Sequence, residues 1–170
     1  MRSSEDKPSL RARSGRELRL SGESLLGIMA EVMAKGVPFR FRAVGYSMSP
    51  FIRDGDVITV LPKGGRRLRR GDVVAYVRPV NGQLAVHRIV GRLSAGFVLK
   101  GDHESTADFH VAESGILGIV SGVERNGRRA WIGVGPGRRL IAGLSARGYI
   151  TWAFRVFGRK KGSSGQGPVS

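Results

Sequence analysis

Residues 73–90 read VVAYVRPVNGQLAVHRIV, and the fold turns on this stretch. Val73–Arg78 is rich in β-branched and aromatic side chains, the composition of a strand. Asn81-Gly82 follows, a dipeptide that marks a tight hairpin because both positions tolerate positive φ. Leu84–Arg92 then reads as the returning strand. Ile89–Leu93 with Gly96–Lys100 reads as a second hairpin, and Ile116–Val123 with Ala130–Val134 as a third, across Asn126-Gly127.

Upstream, Phe39, Phe41 and Ala43 alternate with Arg40 and Arg42, which predicts a half-buried strand, and Val57–Leu61 predicts another. Ser21–Ser24 opens an apolar helix in which Leu25, Leu26, Ile28, Met29, Val32 and Met33 recur at helical spacing, and Gly36 and Pro38 stop it. Gly101–Ala112 reads as a polar loop, and Arg138–Lys161 as a basic helix. The expected fold is mainly β, an antiparallel, coiled sheet with one N-terminal and one C-terminal helix. Residues 1–20 and 162–170 read as tails, 21–137 as one β domain including its N-terminal helix, and 138–161 as the C-terminal helix.

A chain of 170 residues supports one core. It has no Cys, which excludes disulfides, thiolate metal sites and a Cys nucleophile. Its 29 Lys and Arg against 13 Asp and Glu give a formal charge of +16, which favours an anionic partner. Much of this charge is local. Arg125–Ser170 holds ten basic residues and no acid, and Lys63, Arg66, Arg67, Arg69 and Arg70 form a second cluster. No stretch has the ~20 predominantly apolar residues of a membrane-spanning helix, and no secretory h-region precedes Leu20. The expected location is cytoplasmic. The basic helix either packs on the sheet with its Arg stems snorkelling or docks on an anionic membrane surface through Trp152, Phe154 and Phe157. Because the chemistry-bearing residues end at Asp108, the segment after Pro136 is expected to be dispensable for them.

Four spots carry potential chemistry: Gly45-Tyr-Ser47-Met48-Ser49-Pro50, Asp54-Gly-Asp56, the strand around His87, and Lys100-Gly-Asp102 with Asp108 six residues on. A nucleophilic serine needs a base, and a histidine base needs a carboxylate that fixes its tautomer. Ser47, His87 and either Asp102 or Asp108 supply those types. Asp108 is favoured as the orienting group and Asp102 as a structural or supporting one. Asp54, Asp56 and Asp72 read as turn formers, and Met48 as a packing residue. His103, Glu104, Asp108 and His110 have no defined ligand geometry, so no metal and no cofactor is expected.

These residues resemble the S24/S26 superfamily of serine peptidases, which includes signal peptidases and LexA-type self-cleaving repressors. The resemblance spans about Phe39–Val123. The Gly45-Tyr-Ser-Met turn followed by Asp54-Gly-Asp-Val resembles the family's nucleophile turn. His87 stands where bacterial signal peptidases and LexA-type repressors carry a general-base Lys. That substitution, with Lys100-Gly-Asp102 and Asp108, is similar to the endoplasmic-reticulum and archaeal type with Ser, His and Asp. The resemblance implies a serine endopeptidase acting on an extended signal or leader peptide, with Ser47 as nucleophile, His87 as base and Asp108, with Asp102, behind it. Two departures stand out. The family's signal peptidases have an N-terminal anchor, which the polar N-terminal segment is not expected to supply here, and Gly45 replaces a residue that often supplies a side-chain oxyanion donor. The alternatives are a LexA-like DNA-binding regulator, with nucleic acid the less favoured partner, and a non-catalytic peptide-binding protein at a membrane surface. For a His87 base backed by carboxylate, the expected titration lies near or somewhat above 6.5.

Overall fold

A computed structural model describes residues 22–130 and 137–148. Helix α1 (Gly22–Ala34) leads into strand β1 (Phe39–Arg42). Strands β2 (Val57–Pro62), β3 (Val73–Val77), β4 (Leu84–Leu93), β5 (Gly96–Lys100), β6 (Ala107–Val111), β7 (Ile116–Arg125) and β8 (Arg128–Ala130) follow, then helix α2 (Arg138–Ala146). The strands form one antiparallel sheet in the order β1-β2-β7-β3-β4-β5-β6, with β8 paired to β7. The fold is therefore mainly β with a helix at each end.

The two faces of β3 explain why the sheet is covered on both sides. Val73 and Ala75 join Met29, Met33, Ile58, Val60, Val120 and Val123 in one apolar cluster. Val74 and Tyr76, one residue out of phase, join Leu68, Ile89, Phe97, Leu99, Val111 and Ile116 in the other. Period-two alternation thus places one strand in both cores. Helix α1 lies over the first cluster through Met29 and Met33. It ends in a glycine cap: Gly36 has φ 75°, Gly36 N–H donates to Met33 O and Val37 N–H to Val32 O, the Schellman pattern that satisfies orphan carbonyls. Gly118 on β7 has no side chain to obstruct Met33, whose Cε methyl and the Leu61 carbonyl occupy the space of a Cβ.

Several expectations change. The segment read as a polar loop, Gly101–Ala112, contains strand β6, paired to β5 with Leu99 opposite Asp108 and Lys100 opposite Ala107. Its polar side chains alternate with apolar ones, and pairing, not composition, makes it a strand. Strand β4 runs unbroken from Leu84 to Leu93, so it serves both the first and the second hairpin. The third hairpin pairs Arg128–Ala130 with β7, and residues 131–134 of the expected strand lie outside the described residues. The basic helix is described only over Arg138–Ala146, and the expected continuation to Lys161 likewise lies outside.

The described part of that helix packs onto the sheet. Ile141, Ala142 and Ser145 are buried, Lys100 Nζ donates to Ser145 O at 2.6 Å, and Arg138 Nη1 lies 3.3 Å from Asp72 Oδ1. Gly71 approaches the Arg138 backbone so closely that a Cβ has no room there. Of the two placements expected for the basic helix, its described part takes the one packed on the sheet, where α2 covers a buried lysine and part of the core. Truncation after Pro136 should lower stability by about 3 kcal/mol or more, from lost apolar burial and the stranded Lys100 ammonium. Thermal unfolding followed by circular dichroism checks this; an unchanged midpoint would contradict the packing role of α2.

Candidate active site

Strand β4 carries two charged-type neighbours, His87 and Arg88, and alternation sends them to opposite faces. Val74 lies opposite His87 and Val73 opposite Arg88, so His87 shares its face with Val74 and Tyr76. Arg88 emerges on the other side. Each then meets one of the two aspartates from the 101–108 segment, and this sorts their roles.

Arg88 is fully buried, and so is Asp102. Arg88 Nε and Nη2 donate to Asp102 at 2.9 and 2.7 Å, and Nη1 donates to Gly71 O at 3.1 Å. The guanidinium also sits 5.3 Å from the Phe51 ring centroid. Asp102 therefore neutralises Arg88 and forms no hydrogen bond to His87. Of the two roles expected for Asp102, structural or supporting, this pairing matches the structural one.

His87 is 1% exposed. Its Nδ1 lies 2.8 Å from Tyr76 Oη and 3.3 Å from Asp108 Oδ2, and the Tyr76 hydroxyl makes a short hydrogen bond to Asp108 Oδ2. Asp108 reaches this face because β6 pairs it with Leu99, which in turn pairs with Ile89, two residues along β4 from His87. On the other ring nitrogen, Nε2 lies 3.2 Å from Arg78 Nη2 and 3.3 Å from Glu104 Oε2. Arg78 Nη2 also donates to Glu104 Oε1 at 3.2 Å, and its Nε lies 3.5 Å from Asp108.

Burial dominates the titration of His87 and moves its pKa below the ordinary 6.5; Glu104 and Asp108 oppose this and Arg78 reinforces it. The expectation of a value near or above 6.5 is corrected for that reason: desolvation of the imidazolium outweighs two carboxylates, both of which are shared with Arg78. Burial also pushes the Tyr76 hydroxyl far up, with Asp108 adding to it, so Tyr76 stays protonated.

Ser47 sits on the turn between β1 and β2. Gly45 adopts φ 95°, and its N–H donates to Asp54 Oδ1 at 2.8 Å. Phe51 and Ile52 N–H both donate to Met48 O, while Met48 and Ile52 anchor the turn in the first apolar cluster. Ser47 remains half-buried beside the exposed Val44 and Tyr46. The Ser47 carbonyl accepts from His103 N–H at 2.8 Å, which ties the turn to the loop carrying Asp102 and Glu104. The turn-forming aspartates do more than shape loops. Asp56 accepts from Arg53 N–H and pairs with Arg125 at 2.7 Å. Burial works to raise its pKa, but Arg125 and Arg53 hold it below the ordinary value.

One cleft of about 470 Å³ brings the pieces together. Arg42–Gly45, Ser47, Met48, Ile52, Ile58 and Gln83–His87 all line it. Ser47 and His87 therefore border one cleft, His87 with only 1% of its surface exposed, and no hydrogen bond joins them among the described residues. Tyr76 and Arg78 are site residues that the sequence reading did not single out, and Glu104 enters that reading only as a candidate metal ligand. For the first two a signal existed: the hairpin register places Tyr76 opposite Ala85, hence diagonal to His87, with Arg78 two residues further along.

The division of labour between the aspartates has a measurable consequence. Asp102→Ala strands a buried guanidinium and should cost about 3–5 kcal/mol in folding stability, read as a lowered urea midpoint. A midpoint within experimental error of wild type would remove Asp102 from the structural role. No protein-family model matches the chain, and no curated protein matches it either.

Proposed function

We propose that this chain is a serine endopeptidase that cleaves an extended polypeptide, with Ser47 as nucleophile and His87 as general base. The observation that carries the reading is the cleft itself: Ser47 and His87 both line it, with a carboxylate behind the imidazole. The substrate lies along the cleft between Arg42–Gly45 and Gln83–His87, near the outer edge of β1, which has no strand neighbour on that side among the described residues. An extended peptide beside such an edge gains backbone hydrogen bonds.

The chemistry proceeds in two halves. Ser47 Oγ bonds to the carbonyl carbon while its proton passes to His87 Nε2, and the backbone N–H of Ser47 faces the developing oxyanion. The C–N bond breaks, the leaving amine takes the proton from Nε2, and an ester to Ser47 remains. Water then attacks the ester, passes its proton through His87 and frees Ser47. For either half, Arg78 and Glu104 must withdraw from Nε2, which they flank in this structure. Hydrogen bonds of this kind often form only when substrate is present.

That same flanking of Nε2 is the observation that favours a rival, a peptide-binding protein without chemistry. A serine-reactive phosphonate probe separates the two. It should label the wild-type protein and not Ser47→Ala. The variant should keep its thermal midpoint while losing peptide cleavage by roughly a millionfold, as for a lost serine nucleophile. Equal labelling of both proteins would end the proposal.

The pH profile gives a second test. The base works only when neutral, and its folded pKa lies below 6.5. Activity should therefore persist at pH 6.5 and fall only as the pH drops further, through the lowered pKa of His87. An acid limb of kcat/KM with its midpoint above 6.5 would show that another group titrates or that water reaches the ring.

A further inference from the structure

The protons around His87 can be counted. A carboxylate at Asp108 can only accept. Tyr76 owns a single hydroxyl proton, and its hydrogen bond to Asp108 Oδ2 consumes it. The Tyr76 oxygen then faces His87 Nδ1 at 2.8 Å with lone pairs only, so Nδ1 must carry a proton to make that contact. On the far side of the ring, Arg78 Nη2 has only protons to offer and lies 3.2 Å from Nε2, so Nε2 must present its lone pair. Two neighbours on opposite sides of the ring therefore demand the same neutral tautomer. Glu104 Oε2, 3.3 Å from Nε2, pulls the other way, but its carboxylate is shared with Arg78. Tyr76 is fully buried, within the apolar cluster formed with Val74, Ile89 and Leu99, which leaves its ring little freedom to turn.

We infer that Tyr76 is a positioning residue inserted between the base and its carboxylate: it relays Asp108 to His87 Nδ1 and holds the imidazole with Nε2 free to accept a proton. The direct Nδ1–Asp108 distance of 3.3 Å is long for a charge-assisted hydrogen bond, whereas Tyr76 Oη lies 2.8 Å from Nδ1 and itself donates to Asp108 Oδ2. The arrangement extends the serine, histidine and aspartate set by one hydroxyl. It rests on the peptidase reading for its meaning in catalysis, but the tautomer is a property of the folded chain alone.

Tyr76→Phe keeps the ring and deletes the relay. In the full chain, nitrogen-15 NMR of the histidine rings reads the tautomer directly, and the three histidines are assigned by the loss of one signal set in His87→Gln. Wild type should show Nδ1 protonated and Nε2 bare. Tyr76→Phe should populate both tautomers, shift the His87 titration, and lower kcat by about a hundredfold with KM little changed, the low end of a general-base contribution. Asp108→Asn is the companion variant, and it serves also if Tyr76→Phe does not fold. Its amide can donate to Tyr76, whose own proton then turns to Nδ1, so the Nε2-protonated form should gain population. Wild-type ring spectra in whichever of these variants fold would overturn the inference, as would a wild-type kcat in Tyr76→Phe. Altered ring spectra in a protein whose Ser47→Ala form still cleaves peptide would leave the role of Tyr76 standing and overturn the peptidase reading instead.

Discussion

A guanidinium and a carboxylate, both withdrawn completely from water, meet where β4, the 101–104 loop and the turn at Gly71 converge. Arg88 and Asp102 form this pair, and the geometry of the site hangs from it. Two charges in a low-dielectric interior are tolerable only because two guanidinium nitrogens face the carboxylate and a third finds the Gly71 carbonyl. The loop so fixed does three things. It places His103 N–H on the Ser47 carbonyl, sets Glu104 against Nε2 of His87, and feeds the chain into β6 in the register that delivers Asp108. A pair on one face of the sheet thus positions groups on the other.

The hairpins were legible because their signals are local. Asn81-Gly82 encodes its own turn, and the alternation of Phe39–Arg42 encodes its own burial. Strand β6 was not legible, because Ala-Asp-Phe-His-Val owes its strand state to the neighbouring β5 and not to its own propensity. The choice between Asp102 and Asp108 was legible only in part. Spacing brought both near the histidine, but the parity of His87 and Arg88 along β4 separates them. The register that places Tyr76 beside His87 was present in the sequence and went unread, because an aromatic on an apolar strand looks like core until its hydroxyl is asked for a partner. The direction of the His87 shift depends on burial, a tertiary quantity that neighbouring residue types do not report.

The acids of the chain are few, and many are committed internally. Asp56 pairs with Arg125, Asp72 with Arg138, Asp102 with Arg88, and Asp108 and Glu104 with Arg78. Each pair joins segments distant in sequence, so the scarce carboxylates act as fasteners between elements and leave the surplus of cations outside. Lys63–Arg70 and Arg138 show the result: Arg66, Arg67, Arg69 and Arg138 surround one recess with Asp72 as its acid.

The outer edge of β1 has a bearing on self-association. An unpaired strand edge invites a second copy of itself, the first step of sheet-to-sheet polymerisation. Here Arg40 and Arg42 alternate along a strand of four residues, and both are exposed. Arg40 is paired with Glu124 at 2.9 Å and Arg42 donates to the Gly55 carbonyl, yet two such edges brought together would still bring like charges toward each other, at a repulsion that grows as salt is removed. The alternation that gives β1 its half-buried face thus also guards its edge against a second copy.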